Sequence, residues 1–137
     1  KFHDPKALPG DEGRTNWMVL RYADVLLMQS EAINNINPSD ASKFEGINKI
    51  RTRAGLGSEL LNFTNTPASK DFIDALAHER LLELAIEGHR RFDLLRYKKY
   101  QEIKAAQGYT IDNNHLLYPI PQTERDVNPN LVQNPGY

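Results

Sequence analysis

The sequence predicts an all-α fold, in which two antiparallel helix pairs are followed by a proline-rich irregular tail. Apolar residues recur at helical spacing through four successive stretches of the 137-residue chain. Proline and glycine residues fall between these stretches, where they end one helix or start the next. Four of the eight prolines lie in the tail, residues 116–137. Proline removes a backbone donor, so this tail is expected to wrap over the helices without joining a central strand.

The first predicted pair is a helical hairpin over residues 17–56. Its first helix covers about Met18–Ile36, and Pro38 cannot continue it. Its second helix covers about Ala41–Ala54, and Gly55 is suited to the position that follows a helix. Because the connection is short, we expect the two helices to pack antiparallel.

The second predicted pair covers residues 67–104. Thr66-Pro67 is a typical helix start, with Thr as the N-cap and Pro at the first helical position. The third helix is expected to reach about Glu87, and its apolar stripe is broad enough for burial on more than one side. The fourth helix is expected over about Arg90–Lys104.

Length and composition limit the function classes. A chain of 137 residues fits a single domain with its own core, and 39% hydrophobic with 26% charged residues is ordinary for globular proteins. The net charge of −1 gives no overall field for nucleic acid or anionic membrane. The lack of cysteine excludes thiol catalysis, disulfides and thiolate metal sites. No apolar run approaches the roughly 20 residues of a membrane span.

A cluster of charged residues is centred on EGHRRFDLLRY, residues 87–97. Glu79, Glu83 and Glu87 lie four residues apart, on one side of the third predicted helix, where they would repel each other if unpaired. Arginine suits bidentate, partly buried pairing with carboxylates. The pattern therefore predicts a structural ion-pair network between these acids and nearby arginines, namely Arg51, Arg53, Arg80, Arg90 and Arg91.

Catalytic and metal motifs are incomplete, and we assign no catalytic residue, metal ligand or cofactor. His78-Glu79 begins like the zinc motif HExxH, but Leu82 stands where the second histidine belongs. The chain has no G-x-S-x-G and no phosphate-binding glycine loop. Glu124 and Asp126 could form a carboxylate pair for glycoside hydrolysis, a match of very low specificity.

A nucleic-acid surface is the other polar alternative. The stretch RRFDLLRYKKY combines basic residues with Tyr97 and Tyr100, a combination found on stacking surfaces for single strands. Acidic residues in the same region and the balanced net charge favour a solvated helix face instead.

Four segments in order resemble one protein family. They are NWMVLRYADVLLMQSEAINN (Asn16–Asn35), INKIRTRAGL (Ile47–Leu56), ERLLELAIEGHRRFDLLRY (Glu79–Tyr97) and LYPIPQTERDVNPNLVQNPGY (Leu117–Tyr137). Together they are similar to the C-terminal part of SusD/RagB-type proteins, the surface glycan-binding lipoproteins of Bacteroidetes nutrient-uptake systems. QNPGY resembles the usual family ending. The chain starts KFHDPK, without Met, and we expect it to be a piece of a longer protein.

The resemblance implies a tetratricopeptide-like arrangement of the helix pairs and a role without catalysis or cofactor. It implies a lipid-anchored protein at the outer membrane, on the cell surface, with its anchor outside this chain. The implied partners are a TonB-dependent outer-membrane transporter and an oligosaccharide or other nutrient, with no nucleic acid. Much of the family's ligand contact comes from inserted loops and from segments that precede this one.

Trp17 is the only tryptophan and the one ligand-binding candidate in the chain. An exposed indole face could stack on a sugar ring. Beside the RYADVLL stretch, packing of Trp17 at the start of the first helix is the favoured interpretation. Two other functions stay open, a tetratricopeptide-like module that binds a protein and a hydrolase or hydrolase-accessory domain.

Overall fold

The structure, a computed structural model, describes residues 16–137. Its helices are α1 (Tyr22–Ile36), α2 (Lys43–Arg53), α3 (Ser69–Glu83), α4 (Arg90–Arg96), α5 (Tyr100–Ala106), a 3-10 helix (Asn113–Leu116) and α6 (Gln122–Val127). No strand occurs among the described residues, so the all-α prediction is confirmed. They divide into two compact units, the first ending at Arg90 and the second spanning Arg91–Tyr137. The single-domain organisation stays a prediction.

Helices α1 and α2 form an antiparallel hairpin. The amide N–H of Ile47 donates to Ser30 Oγ at 3.2 Å, and Lys43 lies opposite Asn34, nearer the turn. Gly46 allows this close approach, because a Cβ placed there would lie 2.5 Å from the backbone oxygen of Leu26. The hairpin is the arrangement that a tetratricopeptide-like unit requires.

Helix α1 lies at the centre of the first unit, since it packs against both α2 and α3. The core between these three helices is apolar and contains Ala23, Leu26, Leu27, Phe44, Ile47, Ile50, Phe72, Leu76 and Leu84. Burial of such side chains contributes about 1.5–3 kcal/mol each, which makes this core the main source of stability in the unit.

A lysine is buried beside the core. The ammonium of Lys43 lies 4.9–5.1 Å from the ring centroids of Phe44, Phe63 and Phe72. It donates hydrogen bonds to Asn34 Oδ1 at 3.1 Å and to the carbonyl of Pro38 at 2.6 Å. Desolvation lowers the pKa of Lys43 below its ordinary value. The charge is accommodated by aromatic faces and two acceptors in place of a carboxylate.

The loop between α2 and α3 is held by side-chain amides. Asn48 accepts a hydrogen bond from the backbone N–H of Leu61 and donates one to its carbonyl, both at 2.8 Å. The hydroxyl of Thr66 donates to the carbonyl of Asn62 at 2.7 Å. Helix α3 begins at Ser69, two residues later than predicted, and Asp71 Oδ2 accepts the N–H of the N-cap residue Ala68.

The ends of the first and third helices also differ from the prediction. Arg21 is extended, with φ −134° and ψ 159°, and α1 begins after it, four residues later than expected. Helix α3 ends at Glu83, and the following turn places Ile86 (φ 69°) and Gly88 (φ 83°) in the left-handed region. A β-branched residue is strained in this conformation, and nothing in the sequence marks Ile86 as a turn residue.

In the second unit, the predicted helix over 90–104 is divided into α4 and α5. The N–H of Lys99 donates to the carbonyl of Leu94 and that of Lys98 to Leu95, a Schellman arrangement that satisfies the last carbonyls of α4. Lys98 occupies its left-handed position, with φ 58°. Glycine usually stands there, which is why periodicity alone predicted one continuous helix.

The tail contains one element that the sequence did not predict, helix α6. Gln133 pairs with both backbone groups of Ile120, accepting its N–H at 2.8 Å and donating to its carbonyl at 2.9 Å. The hydroxyl of Tyr137 donates to the carbonyl of Leu117 at 3.0 Å. The final residues are thus fixed on the segment 117–120 by side chains that replace strand pairing.

Candidate functional site

Arg21 joins the two last acids of α3 and its C-terminal turn. Its Nη1 donates to Glu83 Oε1 and its Nε to Glu87 Oε2, each at 2.7 Å, and the Glu87 side chain is fully buried. The hydrogen bond to Glu87, with that to Glu83, raises the pKa of Arg21 above its ordinary value. The turn after α3 places Glu87 here, since it brings the chain back across the start of α1.

Another ion pair joins the same helices with the opposite polarity, because here the cation is on α3 and the acid is on α1. Arg80 Nη1, on α3, donates to Asp24 Oδ1, on α1, at 2.6 Å. Both side chains are buried. At the start of α1, the cation Arg21 and the acid Asp24 are three residues apart. Helix α3 and its turn carry the complementary charges, so the ion pairs specify one register for the two helices.

Helix α2 reaches the row of acids through two arginines. Arg51 Nη1 donates to Glu79 Oε2 at 2.7 Å, and its Nε donates to the carbonyl of Glu59 at 2.9 Å. Arg53 Nη2 forms a hydrogen bond with Glu83 Oε2. Each of the three acids in the predicted row therefore accepts from an arginine on another segment.

Two arginines of the predicted set bind neutral oxygen atoms. Arg90 donates to the carbonyl of Ala77 at 3.2 Å. Arg91, in the second unit, donates to the hydroxyl of Tyr100 at 2.6 Å and to the carbonyl of His115 at 3.0 Å. Its guanidinium also lies 4.4 Å from the ring centroid of Tyr118. Among the described residues, Arg90 and Arg91 thus contact neutral acceptors instead of the glutamate row, and their part in the network stays a prediction.

Arg21 and Asp24 were missing from the predicted set. Asp24 stands within the apolar stripe of α1, between Ala23 and the buried Leu27. An acid at such a position requires a buried partner, so this interruption of the stripe was a signal of pairing. Arg21 carried no equivalent signal, since it precedes the helix.

A groove opens beside these ion pairs, between the start of α1 and the end of α2. It has a volume of about 320 Å³ and is lined by Arg21, Tyr22, Ala23, Leu26, Lys49, Ile50 and Arg53. Aliphatic side chains form its floor and cations its rim, and the Lys49 ammonium lies 5.3 Å from the Tyr22 ring centroid. Such a groove suits a ligand that places an apolar side chain on the floor and polar backbone groups at the rim.

Trp17 lies on the surface of the described residues, with 57% of it exposed. Its expected burial at the start of the first helix was wrong, because α1 begins only at Tyr22 and Trp17 belongs to the non-helical segment before it. The indole Cζ2 is 3.9 Å from the position that a Cβ on Gly88 would occupy. Trp17 and the strained turn around Ile86 thus lie next to each other.

Metal centres and membrane spans are not found in the described part of the chain. Residues 16–137 contain no group of three or more His, Cys, Asp or Glu side chains that could hold a metal ion. Over the same range, no helix combines the length and apolar character needed to cross a membrane.

Comparison with known proteins identifies the family. A family model described as the SusD family matches residues 1–137. The chain belongs to the SusD family. Its similarity to this family extends over the hairpin, the ion pairs and the tail alike.

Relatives with curated names share this membership. SusD-like protein P2 of Formosa agariphila is 34% identical over 149 residues, which cover 100% of this chain and 30% of that protein. Starch-binding protein SusD of Bacteroides thetaiotaomicron is 30% identical over 131 residues, covering 90% of this chain and 22% of that protein. The chain thus spans less than a third of the length of these SusD-family relatives.

Solved structures show the same fold. A SusD homolog from Bacteroides thetaiotaomicron matches with a TM-score of 0.77 and 34% identity, over 93% of this chain and 28% of that one. A SusD superfamily protein from Parabacteroides distasonis matches with a TM-score of 0.74 and 34% identity, also over 93% and 28%. The all-α architecture described above is therefore that of a segment of the SusD fold.

Proposed function

We propose that this chain is the non-catalytic helical scaffold of a surface nutrient-binding lipoprotein whose ligand is an oligosaccharide. The observation that carries the proposal is the SusD-family match over residues 1–137, supported by a relative named a starch-binding protein. By the same resemblance, the full-length protein works with a TonB-dependent outer-membrane transporter, and a lipid anchor outside this chain holds it at the cell surface.

The geometry of the first unit supports a scaffold. Ion pairs link α3 to the start of α1 and to the end of α2, and the core fills the space between all three helices. Such pairs contribute little net stability but strongly disfavour other registers. We infer that the network holds the helices in one arrangement on which the ligand-binding segments of a full-length protein can be built.

The hydrolase alternative requires two acids that converge on a cleft. Glu83 and Glu87 come together at Arg21, from which both accept hydrogen bonds. The side chain of Glu87 is fully buried and that of Glu83 is only 10% exposed, so neither carboxylate is presented to a substrate. The pairing therefore favours the scaffold.

The groove over Leu26 and Ile50 favours a different second candidate, a tetratricopeptide-like surface that binds a polypeptide segment. It lies on the helical hairpin, and its floor is apolar. This candidate and the scaffold make different predictions for the full-length protein, because a peptide-binding module needs no sugar.

The test is calorimetric titration of the full-length protein with malto-oligosaccharides, xylo-oligosaccharides and host glycans. We expect the full-length protein to bind one glycan class. Trp17→Ala should leave the affinity for that glycan unchanged, because a single exposed indole does not form a concave sugar site. Loss of binding in Trp17→Ala with an unchanged Tm would place the ligand site within this chain. No heat with any sugar would contradict the oligosaccharide proposal.

The partner and the anchor are tested in cells. An affinity-tagged full-length protein should co-purify with a TonB-dependent transporter from outer membranes, and it should be accessible to protease on intact cells. Replacement of the anchoring cysteine, which we expect outside this chain, should release the protein from the membrane. Retention after that replacement would contradict the lipid anchor.

A further inference from the structure

The outward face of α1 differs from that of a solvated helix. Seven residues of α1 are exposed, and they lie together on the side opposite the core: Tyr22, Val25, Met28, Gln29, Ala32, Asn35 and Ile36. None of the seven is charged, and five are apolar or aromatic. The exposed fraction is 40% for Val25, 42% for Met28 and 85% for Ile36, so large apolar groups meet solvent along the helix.

Helix α2 provides the comparison within the same hairpin. Its exposed residues are Glu45, Lys49, Thr52 and Arg53, which are all polar or charged. A helix that is apolar on one side and charged on the other belongs at a surface, whereas a helix that is apolar on both sides is normally buried. By this criterion α2 has the pattern of a surface helix, whereas α1 has the pattern of an interior helix.

Further exposed apolar residues come just before the helix in the sequence. Trp17, Met18, Val19 and Leu20 precede α1 in the chain and are all exposed. A row of exposed apolar side chains along one face of a helix is unusual on a monomeric protein and indicates an interface. The groove over Leu26 and Ile50 lies at the edge of this face, beside Tyr22, and could receive one projecting side chain.

We propose that the outward face of α1, with residues 17–20, is covered by an apolar helix from the part of the full-length protein outside this chain. The inference rests on the proposed function, in which this chain is one segment of a longer lipoprotein. Proteins as long as the relatives have enough chain to form such a helix, because the matched segment makes up only 30% of one relative and 22% of another. Uncharged, medium-sized side chains such as Val25, Met28 and Ala32 allow a second helix to approach to about 8–10 Å.

Cysteine labelling of the full-length protein tests the proposal, since this chain contributes no cysteine of its own. The variants are Val25→Cys and Met28→Cys on the outward face of α1, with Thr52→Cys on the charged face of α2 as the matched control. The anchoring cysteine is replaced in every variant. Each is treated with a maleimide under native conditions and again in denaturant, and the native rate is divided by the denatured rate.

We expect the thiols of Val25→Cys and Met28→Cys to react at least about tenfold more slowly than that of Thr52→Cys in the monomeric full-length protein, because burial requires an opening before reaction. Equal rates in all three variants would overturn the proposal. Protection that appears only in a dimer, as judged by analytical ultracentrifugation across a concentration series, would overturn it in favour of a second copy. Two separate positions are used so that the misfolding of one variant leaves the other informative, and glycan titration reports on the proposed function independently.

Discussion

The buried guanidinium of Arg80 and the buried carboxylate of Asp24 are joined across two helices by a 2.6 Å hydrogen bond. The two residues are 56 positions apart in the sequence, so the bond exists only when α1 and α3 are docked. Removal of either charge leaves the other in a place that water does not reach, and the cost of that exceeds what the intact pair contributes.

Asp24→Ala should therefore lower the free energy of unfolding by about 3–5 kcal/mol. The control is Lys70→Ala, which removes the exposed i,i+4 pair with Asp74 and should cost less than about 0.5 kcal/mol. Urea denaturation followed by circular dichroism measures both. A loss for Asp24→Ala no larger than for the control would contradict the buried pair, and Asp24→Leu combined with Arg80→Met should recover much of the loss.

Gly46→Ala should destabilise the hairpin, because its new Cβ would lie 2.5 Å from Leu26 O and 2.6 Å from Ser30 Oγ. The hydroxyl can rotate away but the backbone oxygen cannot, so the helices must separate at a cost of about 1–3 kcal/mol. Gly57→Ala is the matched control, since nothing lies within 4 Å of the added Cβ. Similar Tm values for the two variants would show that α1 and α2 are not in such close contact.

Substitutions at the turn residues with left-handed backbone conformation should change the free energy of unfolding in opposite directions, depending on whether glycine is introduced or removed. Ile86→Gly and Lys98→Gly should each raise the free energy of unfolding by up to about 1 kcal/mol, since a side chain is strained at φ 69° and 58°. Gly55→Ala should lower it by a similar amount, because φ is +88° there although the space is open. Thermal unfolding of the three variants decides the matter. Destabilisation by Lys98→Gly would mean that α4 and α5 form one helix in solution.

Lys43 predicts a pH dependence whose sign follows from its environment. Burial lowers its pKa below the ordinary value of 10.5, so the unfolded state holds the proton more tightly than the folded state. The cost of the buried charge is constant below the folded-state pKa, and stability rises as pH increases from there to about 10.5.

The measurement compares the wild type with Lys43→Met in urea denaturation from pH 7 upward. Other groups titrate in both proteins, so the difference between the two free energies of unfolding isolates Lys43. We expect the wild type to gain stability relative to Lys43→Met as the pH rises. A difference that stays constant, or that changes in the opposite direction, would show that the pKa of Lys43 is not lowered.

The sequence predicted the features that depend on local repetition. The hairpin follows from helical periodicity interrupted at Pro38, and the row from Glu79 to Glu87 follows from four-residue spacing. The pairing of Arg51 with Glu79 could be predicted from the sequence because both residues lie on regular helices.

The remaining features depend on conformations that periodicity does not encode. Lys98 and Ile86 reverse the chain at positions where no glycine marks a turn, so two helix ends were misplaced. Arg21 bonds to Glu83 and Glu87 from outside any helix, which hid its part in the ion pairs. The exposure of Trp17 followed from the late start of α1 and could not be read from its apolar neighbours.

The enclosure of Lys43 by three phenylalanine rings has a chemical consequence. The rings come from α2, from the loop before α3 and from α3 itself, so reagents reach the amine only when these segments separate. Acylation of an amine requires its free, uncharged lone pair, which the folded protein conceals. The acylation rate of Lys43 can be followed by mass spectrometry, with the exposed Lys70 as the reference amine. The ratio of the two rates would measure how often the first unit opens.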